Sequence, residues 1–552
     1  MTADAAARPV TRREGVVLAV VLAIALLARA WDLSGVSLNH YDEGVYVFSA
    51  WGLADAERPL HPEQRNSPIG LAFLSSLVMR VIGPTDMAPI AVNVTLGTLS
   101  VLAIWGVTRR WFGPAAAVAA AALLAANEFH VSMSRSGMTD VLFALVFMCG
   151  LPLAARALRA PGVGATLGAA LMTGAAWNTK YHGWLTTAVA TSAVVPFGVL
   201  QGWTWRDWLG VARRLAVITL IAIACYVPWF LKAAELAGGF DKLAAYQWSF
   251  LSPHFAKNVV LQEEYLRFFE GALNRASVPL ALAAAAFASG AGGAVAAAAG
   301  VLAAVLGATV GGTVTLWALT AVAVLLLLMR RDELGAWLLL AWGASFLALI
   351  PVYNAYVRTT LPFVLACCAA GGVTIARLLE NDRRTAWGPL VPAALAVAMV
   401  ATGIVRHDTD RWRESRDLPE AARRIREVVG PGARVIVIGE STLAFYLERE
   451  GVHAFKGFEY WETVVESKTP VFVVTGIYIQ RAPTLRKNYA LLKDYLTLLG
   501  EYPFIPYDAR LLEMYEADGA RAVLREQRQD STIRLFRYTP PADGRLPALA
   551  KF

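Results

Sequence analysis

Six ionisable side chains sit at the ends of apolar stretches, where a charge is costly to bury and marks a site: Asp42, Glu43, Arg135, Asp140, Lys180 and Arg358. They fall in four clusters, Asn39-His40-Tyr41-Asp42-Glu43-Gly44-Val45-Tyr46, Ser134-Arg135-Ser136-Gly137-Met138-Thr139-Asp140, Trp177-Asn178-Thr179-Lys180-Tyr181-His182-Gly183 and Tyr353-Asn354-Ala355-Tyr356-Val357-Arg358. Each cluster alone has an ordinary explanation. Acids favour a helix N-terminus, Asp140 fits a helix cap, and Lys180 or Arg358 fits a cation snorkelling to lipid headgroups. If all four meet on one surface, cations would bind a phosphate and stabilise it as it leaves, while a carboxylate takes a proton from an attacking hydroxyl. Adjacent carboxylates on a helix point different ways, so Asp42 and Glu43 are expected to have different partners, one facing a cavity and one a structural group.

Whether the clusters share a side depends on the elements that carry them. Of 92 charged residues, 43 lie in 407–552 and only 49 in the first 406. The chain is 57% hydrophobic and 17% charged, against about 25% charged for a soluble protein, which excludes a purely soluble enzyme. Residues 1–14 form a polar tail with Arg8, Arg12 and Arg13 before the apolar run Gly15 to Trp31, placing the N-terminus in the cytoplasm. A signal peptide cleaved near Ala28-Arg29-Ala30 is the alternative. The first outer loop would cover 32–87, its polar part 32–67 rich in aromatics, with the short segment 68–83 interfacial or re-entrant. Spans are expected near 88–108, 114–127, 139–156, 163–178, 183–201, 212–231, 277–329, 335–350, 358–379 and 388–406. Arg109, Arg110, Arg156, Arg159, Arg206, Arg213, Arg214, Arg330, Arg331, Arg383 and Arg384 all become cytoplasmic only if 277–329 crosses an odd number of times. Three crossings there give about 13 transmembrane helices and put all four clusters outside.

Residues 407–552 have globular character. Arg434 to Gly439 and Val471 to Val474 suit buried strands, and Ala421 to Val429 and Ser441 to Glu450 suit helices. The expected architecture is therefore a transmembrane module, 15–406, with a small extracytoplasmic α/β domain, 407–552. Gly430-Pro431-Gly432 is a turn rather than a phosphate loop, because GxGxxG and GxxxxGK[ST] are both absent. The cysteines, Cys149, Cys225, Cys367 and Cys368, all lie in apolar runs, which excludes a disulfide framework and a zinc ribbon. The net charge of +8 gathers at span edges, pointing to membrane lipids and not nucleic acid.

An outer surface with three carboxylates and three cations suits an anionic substrate dissolved in the membrane, and lipid-linked sugar transfer has that chemistry. The order of one span, an outer Asp-Glu loop, an outer Arg...Asp entering a helix, an outer Asn-Thr-Lys turn and a late Tyr...Arg...Leu-Pro resembles the membrane-embedded GT-C glycosyltransferases. The nearest branch holds protein O-mannosyltransferases and lipid A aminoarabinose transferases. The resemblance covers roughly 15–380, and His40 to Gly44 with Ser134 to Asp140 are its most specific parts. It implies a GT-C fold and a polyprenyl-phosphate-linked sugar donor, with a glycan, lipid or protein hydroxyl as acceptor. It further implies Asp42 as catalytic base, Glu43 as its support, Asp140 as a second site carboxylate, and Arg135, Lys180 and Arg358 as donor-phosphate ligands. His40, Tyr41, Tyr46, His182 and Tyr356 would complete the substrate site. One departure stands out: aminoarabinose transferases carry Lys-Pro-Pro after the first loop, whereas this chain has Arg65-Asn66-Ser67-Pro68-Ile69. Either Arg65 replaces the lysine or the donor headgroup sits differently, and lipid A loses weight as acceptor.

A flippase for lipid-linked glycans would place polar residues at mid-span, and a membrane-anchored assembly protein would not group charges on one face. No cofactor is expected. Asp42, Glu43 and Asp140 could hold a divalent ion through oxygens, but without a further acid at motif spacing a metal is not favoured, and the dispersed His40, His130 and His182 lack zinc spacing.

Overall fold

The computed structural model describes residues 9–249, 333–349, 357–380, 415–456, 461–465, 470–476, 483–504 and 531–541, with a few isolated positions between them. The expected crossings in 277–329, apart from isolated positions, and 388–406 lie outside the described residues, as does Tyr356.

The membrane module consists of helices α1 (Arg12–Ala30), α2 (Tyr41–Ala54), α3 (Gly70–Ile82), α4 (Met87–Phe112), α5 (Pro114–Ala125), α6 (Glu128–Ser134), α7 (Asp140–Arg159), α8 (Val163–Trp177), α9 (Leu185–Leu200), α10 (Trp205–Ala237), α11 (Phe240–Trp248), α12 (Leu334–Leu349) and α13 (Leu361–Glu380). Among the described residues, five stretches are long and apolar enough to cross a bilayer, Arg12–Gly35, Met87–Phe112, Asp140–Arg159, Trp205–Ala237 and Arg358–Arg377, and the pair α5 and α6, bent by 63°, makes a sixth. This is a multi-pass membrane protein. Side chains such as Val81, Val163, Trp205 and Leu220 are exposed outward, as a lipid-facing surface requires.

Helix α3 has only 13 residues, about 20 Å at 1.5 Å per residue, against a hydrocarbon core of about 30 Å. Phe73, Leu77, Val81 and Ile82 are exposed on it while Leu71, Ala72, Ser75 and Met79 are buried, and Arg80 donates to the Leu53 carbonyl at the end of α2. Inside the bundle, α13 packs closely on the alanine-rich α5. A Cβ on Gly372 would lie 2.6 Å from the Ala116 carbonyl oxygen and 2.7 Å from the Ala120 nitrogen, so only glycine permits that approach.

The two ends of the bundle differ. At one, Glu14 in the first turn of α1 is buried against Arg109 at the end of α4, 2.7 Å away. At the other, fully buried Arg29 donates to the Leu124 and Ala125 carbonyls, both at 3.2 Å. Both carbonyls lie at the break between α5 and α6, where helix-end carbonyls run short of intrahelical donors, and the Leu124 oxygen also accepts the Asn127 amide at 3.3 Å. The two positions on α1 are about 22 Å apart along the axis.

The C-terminal domain carries α14 (Asp417–Val429), β1 (Arg434–Ile438), α15 (Ser441–Arg449), β2 (His453–Lys456), α16 (Trp461–Val465), β3 (Val471–Thr475), α17 (Pro483–Leu492), β4 (Leu496–Phe504) and β5 (Ser531–Tyr538). Its sheet has the order β2-β1-β3-β5-β4, parallel across β2, β1 and β3 and antiparallel where β5 meets β3 and β4. The unbroken apolar runs of β1 and β3 suit strands covered on both faces. Strands β2, β4 and β5 carry weaker patterns, and sequence periodicity does not single them out.

Candidate active site

The first loop delivers its carboxylates through a doubly capped helix. At the start of α2, the His40 ring nitrogen Nδ1 accepts the Asp42 amide at 3.0 Å. Glu43 reaches back so that Oε2 accepts the Asn39 and His40 amides at 2.7 and 2.8 Å, a capping box. Its Oε1 accepts the Gly137 amide at 2.6 Å, which ties α2 to the turn before α7. Glu43 is thus buried among backbone N–H groups. Asp42, one residue earlier, points elsewhere: its Oδ2 lies 2.6 Å from Arg358 Nη2, with its side chain 30% exposed.

A second pair stands beside the first. Asp140 opens α7, and its Oδ1 accepts from Lys180 Nζ at 2.6 Å, the carboxylate being only 3% exposed. The turn leading to Asp140 is held by Asn93 of α4, whose Nδ2 donates to the Ser136 and Met138 carbonyls at 2.6 and 2.7 Å. Lys180 lies in the tight 178–184 turn. There Trp177 Nε1 donates to the Tyr181 carbonyl at 2.9 Å and Asn178 Nδ2 to the Cys225 carbonyl at 3.0 Å. The Tyr181 hydroxyl donates to the Arg65 carbonyl, so the segment that departs from Lys-Pro-Pro braces the lysine turn. The Arg65 guanidinium itself reaches toward the ends of α10 and α11, 3.5 Å from the Leu236 carbonyl oxygen and 5.7 Å from the Tyr246 ring centre.

The two pairs form one site. Arg358 Nη1 approaches Met138 Sδ at 3.9 Å, two residues before Asp140. Buried Tyr46 bonds to Ser67 and feels the charges of Asp42, Arg358 and Asp140; burial first, then Asp42, raises its phenol above the ordinary range. His182 meets Phe143, one turn along α7 from Asp140, edge to face at 4.8 Å between ring centres. Tyr41 is half-buried beside Asp42. Arg135 donates to the carbonyls of Arg29, Trp31 and Asp32, gripping the end of α1 where the chain turns through a left-handed Asp32 (φ 43°). Among the described residues, no three His, Cys, Asp or Glu side chains are grouped as a metal-binding set, and the four cysteines are free.

Burial, followed by the Lys180 ammonium, pushes the His182 imidazole down to about 3. An unfolded histidine titrates near 6.5, so as pH falls the unfolded chain binds a proton that the native chain refuses. The contribution of this group to stability is therefore full above pH 6.5 and lost progressively between 6.5 and 3. His182→Gln is expected to flatten the fall in melting temperature between pH 7 and pH 5. An equal fall in both proteins would remove this assignment.

Comparison with known proteins adds the family context. Residues 66–231, less than a third of the chain, match the family model described as dolichyl-phosphate-mannose-protein mannosyltransferase. That segment contains Arg135, Asp140, Lys180 and His182. ArnT from Cupriavidus metallidurans, solved bound to undecaprenyl phosphate, superposes with a TM-score of 0.55 at 14% identity, covering 95% of this chain and 97% of that one. The chain has the GT-C fold. The chain also shares its fold with the archaeal oligosaccharyltransferase AglB from Archaeoglobus fulgidus, solved with an inhibitory peptide and a dolichol-phosphate. There the TM-score is 0.52 at 14% identity, over 89% of this chain and 73% of that one. Among curated protein sequences, none matches. Asn93, which holds the turn before Asp140, does not stand out from the sequence motifs; an asparagine inside an apolar span is the signal available for it.

Proposed function

We propose that this protein is a glycosyltransferase that moves a sugar from a polyprenyl-phosphate-linked donor to an acceptor hydroxyl of a cell-envelope glycan, lipid or protein, on the outer face of the membrane. The observation that carries the reading is the meeting of two carboxylate–cation pairs, Asp42 with Arg358 and Asp140 with Lys180, contributed by four separate segments. Lipid-phosphate ligands in ArnT and AglB, which share the fold, agree with it. In this reading Asp42 takes the proton of the acceptor hydroxyl as the hydroxyl oxygen bonds to the anomeric carbon. The bond from that carbon to the phosphate oxygen breaks, with inversion, and the electron pair leaves on polyprenyl phosphate. A guanidinium has five N–H donors and an ammonium three, so Arg358 holds Asp42 and a phosphate oxygen together, and Lys180 joins it on the phosphate. These cations stabilise the charge that grows on the leaving group. Each carboxylate already faces a side-chain cation, so the reading invokes no divalent metal.

The test is transfer by the purified chain in detergent with a panel of undecaprenyl-phosphate-linked hexoses and pentoses, paired with mass spectrometry of the envelope of a deletion strain. Release of undecaprenyl phosphate from one donor, and loss of that same sugar from the envelope, is the expected result. A deletion strain with an unchanged envelope and no donor consumed by the protein would sink the proposal.

A further inference from the structure

The outer domain is more than a neighbour of the membrane module. Helix α15 sits directly on the first turn of α2, the turn that carries Asp42. Thr442 Oγ1 donates to the His40 carbonyl at 2.5 Å. Tyr446 accepts the Leu38 amide at 2.9 Å and donates to Asp86 Oδ2 at 3.0 Å. Asp86, itself buried, also receives Arg449 Nη1 at 3.2 Å. Phe445 meets Phe48 and Trp51 edge to face, at 5.7 and 6.0 Å between ring centres. The backbones are closer still: a Cβ on Gly44 would lie 2.3 Å from the Thr442 nitrogen. Before α14, the Ser415 carbonyl accepts from the Ser37 hydroxyl.

These contacts converge on 37–44, the peptide whose carbonyls and amides also form the cap of α2. Within that cap, Glu43 and His40 hold the first turn of the helix from within α2 and its N-cap, and Thr442 and Tyr446 hold it from α15. Burial and the Asp86 charge raise the Tyr446 phenol, so its hydroxyl keeps the proton it donates.

We infer that α15 is part of the active site's framework, with Thr442 and Tyr446 as positioning residues that aim Asp42 by fixing the backbone of 37–44. The inference rests on the reading of Asp42 as base. Misplacing a reacting group by about 1 Å costs on the order of 10²-fold in rate, so loss of one of two hydroxyl anchors is expected to cost on the order of tenfold.

The experiment uses the full chain in detergent, with Thr442→Val, Thr442→Ser, Tyr446→Phe and Asp42→Asn. Undecaprenyl phosphate is the binding probe, and the undecaprenyl-phosphate sugar that the wild type consumes is the substrate. Hydrogen exchange of peptides covering 36–44 and β1 is followed in parallel. Expected for Thr442→Val and Tyr446→Phe are faster exchange over 36–44, unchanged exchange over β1, kcat down about tenfold and undecaprenyl phosphate affinity within about twofold of wild type. Thr442→Ser, which keeps the hydroxyl, is expected to restore both exchange and kcat. Wild-type exchange and kcat in both hydroxyl-free variants would overturn the inference, as would parallel loss of β1 protection, binding and kcat. Full activity in Asp42→Asn would instead remove the base, while the exchange of 36–44 still reports whether α15 holds that peptide.

Discussion

Asp42→Asn is expected to lower kcat by about 10²- to 10⁴-fold, the usual worth of a positioned general base, while the protein stays folded and keeps binding undecaprenyl phosphate. The geometry separates the two outcomes. Asp42 is 30% exposed and lies 2.6 Å from Arg358 Nη2, and an asparagine oxygen still accepts that hydrogen bond. Loss of a partly exposed ion pair costs only about 1 kcal/mol or less. Glu43, by contrast, receives the backbone amides of Asn39, His40 and Gly137, so changes there act through the fold. Single-turnover transfer and an undecaprenyl phosphate binding isotherm, measured on the same preparation, check the prediction. An active Asp42→Asn protein would leave the mechanism without its base.

The second large effect belongs to Lys180. Its ammonium is the cation on Asp140, whose side chain is 3% exposed, so Lys180→Met strands a buried carboxylate. Breaking one side of a buried pair costs about 3–5 kcal/mol, and the variant should melt well below wild type. In the double variant Lys180→Met/Asp140→Leu the stranded charge is gone and most of the melting temperature should return. Affinity for undecaprenyl phosphate should not return, because the double variant still lacks the cation assigned to the phosphate. If the stabilised double variant binds undecaprenyl phosphate as wild type does, Lys180 is a structural partner of Asp140 and no more.

Much of the membrane module was legible because lipid imposes a strict rule: every crossing must be a long apolar helix that satisfies its own backbone. The runs expected at 88–108 and 139–156 correspond to α4 and α7, both long enough to cross, whereas those at 163–178 and 183–201 correspond to α8 and α9, apolar helices of only 15 and 16 residues. The expected run 114–127 is α5, and the turn at Asn127 begins the separate helix α6, which shows that a polar punctuation can bend a span as well as end it. In the C-terminal domain β1 and β3 were legible as continuous apolar runs. Strands β4 and β5 were not, because one face of an antiparallel pair is exposed and its pattern is diluted by Arg534, Arg537 and Glu501.

Site chemistry was legible as residue types. Asp42, Asp140, Lys180 and Arg358 stand out in sequence because charges beside apolar helices demand a reason. Which carboxylate faces which cation was not legible, since Asp42 and Arg358 are 316 positions apart and only packing sets that meeting. Arg135 shows the limit: its type and place suited a phosphate ligand, while its guanidinium donates to the carbonyl end of α1, a demand that a helix terminus makes and no motif announces.

By itself, then, the sequence determined the kind of solvent each part of the chain meets and the kinds of group available for chemistry, because hydropathy and charge are properties of residues. The tertiary structure decided the pairing of Asp42 with Arg358, the burial of Glu43 as a cap, and the seating of α15 on Gly44. Those depend on distances between segments remote in the chain, and a distance is created only when the helices pack.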